Sequence, residues 1–143
     1  MSTSFEGSET FQASPDKILC LINNFEAYKG FLPGCLESSR LPDSEEGLVS
    51  GRLIFSILNR TYSFESTNKT KGFEVYISQS KGPFLDFYAL WSLEPIDERC
   101  TKVRFITNFS LPFFLNIFAK QSLIDKIGIK FISAFAKALL KQS

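Results

Sequence analysis

Residues 23–35 read NNFEAYKGFLPGC. Phe25 and Tyr28 arrive at helical spacing, and Phe31-Leu32-Pro33-Gly34 then ends any helix, because proline removes a backbone donor and glycine favours a turn. A segment this short and this broken carries much apolar surface. Four readings fit it: a core plug, the rim of a greasy cavity, a membrane-facing lip, or a reactive thiol site at Cys35. The periodicity on either side decides which kind of fold it serves.

Upstream, SPDKILCLINN (14–24) opens with Ser14 as N-cap, Pro15 at the first helical position and Asp16 near the positive end of the helix dipole. Ile18, Leu21, Ile22 and Phe25 continue one apolar stripe, so a short helix is expected to run into the opening stretch and stop near Pro33-Gly34. SFEGSETFQA (4–13) has β-formers at both ends and reads as a strand. Downstream the period becomes two. Val49, Gly51, Leu53, Phe55 and Ile57 face one way, with Ser50, Arg52 and Ser56 opposite. The same alternation groups Tyr62 with Phe64; Phe73 with Val75 and Ile77; Phe87 with Ala89, Trp91 and Leu93; and Val103 with Phe105, Thr107, Phe109 and Leu111. Turn residues separate these runs at 41–47, around 68–72, at 81–83 and at 95–99. About six strands, forming one antiparallel sheet with an aromatic concave face, are expected after the short helices.

Beyond Pro112 the helical period returns for roughly 28 residues, or about 42 Å. Ile117, Ile124, Ile127, Phe131, Phe135, Ala138 and Leu139 form its expected inward stripe, and Lys126, Lys130, Lys137 and Lys141 lie on another side. A helix of that length would cross the concave face of the sheet. Gly128, at its middle, permits close approach or a bend.

Composition narrows the chemistry. The chain has 143 residues, enough for one domain that buries about two-thirds of its unfolded surface. Sixteen phenylalanines against one tryptophan and one methionine suggest an interior lined by rings. Three cysteines, Cys20, Cys35 and Cys100, form no CxxC pair, which disfavours a disulfide framework or a four-ligand zinc site and suits a reducing cytoplasm. The first residues lack a secretory or transit pattern and no stretch supplies about 18 uncharged apolar residues, so a soluble intracellular protein is expected. Net charge is +1 but uneven: residues 112–143 carry five lysines and one aspartate. A local basic face fits this distribution, whereas DNA binding by the whole surface does not.

The order strand, short helices, strands, long helix is similar to the helix-grip arrangement of the START-like (Bet v 1-like) superfamily, an α+β fold. In that fold a curved antiparallel sheet of about seven strands wraps a long C-terminal helix, and two short helices follow the first strand. Three motifs carry the likeness. NNFEAYKGFLPGC (23–35) resembles the signature Asp-Val-x-x-Tyr-Pro-x-Phe-Leu-Pro-x-Cys; KGPF (81–84) with Trp91 in ALWSLEPI resembles a paired Asp-Gly-Pro-Phe and Gly-x-Trp-x-Phe; SAFAKALL (133–140) is similar to a closing helical box. They point to the coenzyme Q-binding START-like family and its bacterial branch of ribosome association toxins, RatA, with one domain over 1–143. Asn24 stands where the family has Asp, Lys29 where it has Pro, and Ser66 or Thr67 where it has Arg.

The resemblance implies a non-catalytic protein that holds ubiquinone or a similar apolar molecule and supports respiration. The expected lining combines Phe25, Tyr28, Phe31, Leu32 and Pro33 with Phe55, Phe64, Val75, Ile77, Phe84, Trp91, Phe105, Phe109, Phe131 and Phe135. No cofactor or metal is expected to be required. The alternative implied by the branch is binding to the large ribosomal subunit so that subunits fail to associate. Lys126, Lys130, Lys137 and Lys141 would carry contact with ribosomal RNA or with anionic lipid at the inner membrane. A cyclase-like enzyme is the third reading. With no histidine in the chain, the usual neutral-pH base is missing, and Glu9, Glu65, Glu74 and Asp86 are dispersed over different strands. Glu9 shares strand parity with Phe5 and Phe11 and could point inward. Cys35 has no histidine partner, and reads as a packed hydrophobe.

An empty cavity of about 300 Å³ would cost on the order of 7 kcal/mol. Either the rings fill the grip or an apolar molecule does. On the second reading Phe31-Leu32-Pro33 forms the lip that closes it.

Overall fold

Ser14 starts the first helix. Its backbone is extended, its hydroxyl oxygen accepts from the Lys17 N–H at 3.4 Å, and Pro15 and Asp16 follow in the first turn. In the computed structural model, which describes residues 2–42, 45–57, 59–113, 115 and 120–142, this helix α1 is short, Pro15–Ile22. Asn23 then caps it, and a separate 3-10 turn, Phe25–Gly30, follows. The opening stretch is thus a second element and does not continue α1.

Strands β1 (Ser2–Phe11), β2 (Cys35–Arg40), β3 (Leu48–Ile57), β4 (Arg60–Lys71), β5 (Glu74–Lys81), β6 (Asp86–Asp97) and β7 (Cys100–Ser110) form one antiparallel sheet ordered β1-β7-β6-β5-β4-β3-β2. Strands β2 to β7 are a meander in which each pairs with the next along the chain. β1 and β2 are the two edges, so α1 and the 3-10 turn must carry the chain across the whole width of the sheet. β2 has no alternation to announce it: only Ser38 is buried, and a register shift at Cys35/Glu37 turns Leu36 out to solvent.

Parity on β3 to β7 follows the sequence. One row across the concave face reads Val75–Trp91–Phe105–Gly7, and the next Asn68–Ile77–Ala89–Thr107–Phe5. Phe73 departs from the expected grouping. It sits in the β4–β5 turn beside Gly72 (φ 58°), 44% exposed, and its carbonyl accepts from the Leu93 N–H at 2.9 Å.

The closing helix α2 spans Gln121–Gln142, 22 residues, shorter than the periodicity suggests and about 33 Å long. Before it, the Leu115 N–H donates to the Pro112 carbonyl at 2.9 Å; Ile117 lies outside the described residues. The buried stripe is centred on Gly128, Phe135 and Leu139, with Ile124, Ile132 and Ala138 beside it. Ile127 falls about 80° from Phe135 around the axis, at the border of that stripe, and is 45% exposed. Close approach is the reason for glycine at 128: a Cβ there would lie 2.5 Å from the Phe5 ring. Gly7 serves the same contact from the sheet, since its Cβ would meet Phe5 and Ile132 at 2.8 and 2.9 Å.

Candidate functional site

The 3-10 turn closes over one side of the grip through two anchors. Phe25 lies flat on β3 at Gly51, where a Cβ would come within 2.1 Å of its ring. Tyr28 is buried, its hydroxyl donates to the Ile22 carbonyl at the end of α1, and its ring meets Phe25 and Phe135 at 5.4 Å each. Burial pushes the Tyr28 hydroxyl far above its ordinary range, with a smaller contribution from Cys35. Ser38 of β2 ties the turn down from outside: its oxygen accepts from the Lys29 N–H at 3.0 Å and its hydroxyl donates to the Glu26 carbonyl at 3.3 Å. Lys29 replaces the proline of the resembled signature, and only a non-proline residue supplies that N–H.

After the turn, Phe31 stands edge-on to Phe135 at 5.0 Å, Leu32 is buried and Pro33 is exposed. Gly34 (φ 79°) turns the chain into β2, and its carbonyl accepts from the Ser56 N–H at 2.9 Å.

The ring positions separate into two groups. Around Trp91, the rings of Phe105, Phe131 and Phe135 lie at 4.7, 5.6 and 4.9 Å, and Tyr28 and Phe31 join through Phe135. Val75 packs under them, fully buried. This half of the grip is filled by its own side chains. At the other end of the strands, Phe84 meets Phe64, Phe87 and Phe109 at 5.8, 5.1 and 5.3 Å, and Phe55 stacks obliquely on Tyr62 at 5.6 Å. Of these inward-facing rings only Phe64 is buried. Phe55, Tyr62, Phe84, Phe87 and Phe109 stay partly open, as do Leu53 and Ile77 nearby.

Two polar side chains, Gln79 and Asn68, shape this interior, and alternation alone could not single them out. Gln79 pins the KGPF turn, its amide donating to the Phe84 carbonyl at 3.0 Å and its oxygen accepting from the Phe84 N–H at 3.3 Å. Asn68, 1% exposed, donates to the Ile22 carbonyl and to Asn23 at 3.4 and 3.0 Å, which holds the end of α1 against β4. The Asn68 Oδ1, the Trp91 Nε1 and the Tyr62 hydroxyl are buried without a protein partner. Polar positions inside a strand carry no periodic signal once the face as a whole reads apolar.

Groups with chemical potential lie apart from one another. Glu9 shares the inward parity and is half-buried; Glu65 and Glu74 are half-buried on the opposite parity, and Asp86 is exposed. Burial pushes the Cys35 thiol up, which lowers its thiolate fraction. No group of three Cys, Asp or Glu among the described residues could hold a metal ion. Two concavities, of about 440 and 170 Å³, flank Cys20 on the outer side of α1. Phe25 is the single expected lining residue that borders either of them. On α2, Lys126, Lys130, Lys137 and Lys141 are all exposed along the side opposite the buried stripe.

A seven-stranded antiparallel sheet wrapped on a C-terminal helix, with rings on the concave face, defines a START-like helix-grip protein. The chain belongs to the polyketide cyclase/dehydrase and lipid transport family, which it matches over residues 11–132. It is 26% identical over 125 residues to the ribosome association toxin RatA of Vibrio cholerae, covering 87% of this chain and 86% of that protein. A START superfamily protein from Mycobacterium smegmatis superposes with a TM-score of 0.78 at 17% identity, covering 97% of this chain and 95% of that one. The Zhui aromatase/cyclase from Streptomyces sp. R1128 does so with 0.82 at 12% identity, covering 96% and 93%. At those identities the two structures speak for the fold alone.

Proposed function

We propose that this protein is a non-catalytic START-like module that holds an apolar molecule of the quinone class at the open end of its grip and delivers it from the bacterial cytoplasm. One observation carries the reading: five rings on the concave face, Phe55, Tyr62, Phe84, Phe87 and Phe109, remain partly open to solvent although they point inward. Covering such rings gains about 25 cal/mol for each Å² of apolar surface removed from water. The unpartnered Tyr62 hydroxyl beside Phe55 offers a hydrogen bond to a polar head group. The absence of histidine and the scatter of the acids argue against a cyclase. Organic extraction of protein purified from a quinone-making host should yield a polyprenyl quinone in stoichiometric amount; a clean extract from folded protein would refute the reading.

A second reading draws on a different surface. The likeness to RatA covers most of both chains, and the exposed row Lys126, Lys130, Lys137 and Lys141 presents four cations along one side of α2. Such a row suits ribosomal RNA. On this reading the protein binds the large ribosomal subunit and blocks subunit association. Added protein should then reduce joined ribosomes in gradient sedimentation, and Lys126→Glu with Lys130→Glu should weaken the effect. Unchanged profiles at excess protein would count against it.

A further inference from the structure

An antiparallel sheet that covers a core with one face is ordinarily polar on the other. The outer face of this sheet departs from that at its centre. Tyr76, Leu90 and Ile106 stand directly beside one another on β5, β6 and β7, and Tyr88 lies two residues along β6. Tyr88 is 66% exposed and Tyr76 42% exposed, while Leu90 and Ile106 are half-buried. Ser78, Ser92 and Asn108 restore polar positions around them. The helix α2 packs on the opposite face, against Phe5 and Trp91.

The strand register fixes the charges around this patch. The row through Leu90 reads Lys69–Tyr76–Leu90–Ile106–Glu6, a cation at one end and an anion at the other, and the next row reads Lys71–Glu74–Ser92–Arg104–Ser8. A second copy laid face to face, related by a two-fold axis along β6, reverses each row onto itself. Leu90 then meets the partner's Leu90, Tyr76 the partner's Ile106, Lys69 the partner's Glu6 and Glu74 the partner's Arg104. Within one chain Arg104 already holds Glu6 at 2.8 Å, and the Tyr76 hydroxyl donates to Glu74 at 2.9 Å. Across the interface the signs therefore alternate along Glu74, Arg104, Glu6 and Lys69. Sheets stacked in this way keep their strands within about 30° of each other. Lys71 faces Ser8. Asp86 and Glu94 fall on the axis about 13 Å to either side of Leu90, where two sheets curved round their own helices have parted, and Lys102 stands beside Glu94 in register.

We propose that the outer face of β5, β6 and β7 is a self-complementary surface on which a second copy of this chain docks, with Tyr76, Leu90, Ile106 and Tyr88 at its centre and Glu74–Arg104 and Lys69–Glu6 pairs across it. The helix α2 and the open rings lie on the far side of each sheet, so the dimer leaves both lysine rows and both grips accessible. Pairing of this kind is independent of both functional readings.

Sedimentation velocity of the whole chain over a concentration series tests it. The parent should pass from the mass of one chain to that of two as concentration rises. Leu90→Lys sets two cations against each other on the axis and should weaken association by about tenfold or more. Glu74→Arg alone and Arg104→Glu alone each bring like charges together at two symmetric contacts, and each should weaken it by about tenfold. An equimolar mixture of those two variants should associate nearly as well as the parent, because every contact between the unlike chains again joins opposite charges. A change confined to one chain's own fold cannot be rescued by mixing. A parent that stays a single chain throughout, a Leu90→Lys protein that pairs as the parent does, or a mixture no stronger than its components would each overturn the proposal. Loss of ribosome association in Leu90→Lys, with a parent that sediments as a single chain, would overturn it in favour of the ribosome as occupant of this face.

Discussion

Tyr28 links burial to pH. Its hydroxyl is buried and donates to the Ile22 carbonyl, so the folded chain keeps the proton well above the ordinary value of 10.0. The unfolded chain loses it near pH 10. Stability from this group is therefore complete below about pH 10 and falls as pH rises, by up to about 1.4 kcal/mol per pH unit. Tyr28→Phe should cost about 1 kcal/mol at neutral pH, because a hydrogen bond is lost, and should flatten the alkaline fall. Urea unfolding across the alkaline range checks both; an equal alkaline slope in the variant would remove Tyr28 as its source. That Tyr28 points inward was legible from its spacing to Phe25. Its hydrogen bond to Ile22 was not, because it depends on where α1 stops relative to the turn.

Helix α2 shows how an element is shaped by what it touches. Gly128 lies at the centre of its buried stripe, and a Cβ there would meet the Phe5 ring at 2.5 Å. In a free helix Gly→Ala would stabilise by about 1 kcal/mol. Here the overlap should win, and Gly128→Ala should destabilise by about 1–3 kcal/mol. Phe5→Leu should recover part of that loss, which a double-mutant cycle in thermal unfolding would measure as coupling. A stabilised Gly128→Ala protein would contradict the packing account. The strand alternation of β3 to β7 and the lysine side of α2 could be read directly, since period two and period 3.6 project onto faces. The border position of Ile127 and the start of the helix at Gln121 could not, because apolar residues run on from Pro112 without a periodic break. Strand β2 had the same difficulty in reverse: it is a strand because β3 pairs with it, and its own residues are mostly polar.

At the scale of the molecule, the grip is two environments. Rings around Trp91 fill one half, while those around Phe84 line an open end. A short-tailed quinone held at about a hundred times its dissociation constant should raise the unfolding free energy by about 2.7 kcal/mol. Trp91 is the one tryptophan of the chain, and its emission should stay nearly constant if the ligand occupies the Phe84 end alone. A large change in emission would mean that the ligand enters the filled half, and unchanged stability under saturating quinone would count against any occupant of this class.

The sequence alone determined the α+β order, the apolar parity of the sheet, the cationic side of the last helix and the START-like motifs, because each follows from local spacing along the chain. NNFEAYKGFLPGC belongs to both levels. Its inward anchors, Phe25 and Tyr28, follow from spacing, while its place across the sheet follows from β1 and β2 being opposite edges. Only the tertiary structure decided which rings close on one another and which stay open. Those outcomes depend on contacts between residues distant along the chain, where small positions such as Gly7, Gly51 and Gly128 set how closely the elements approach.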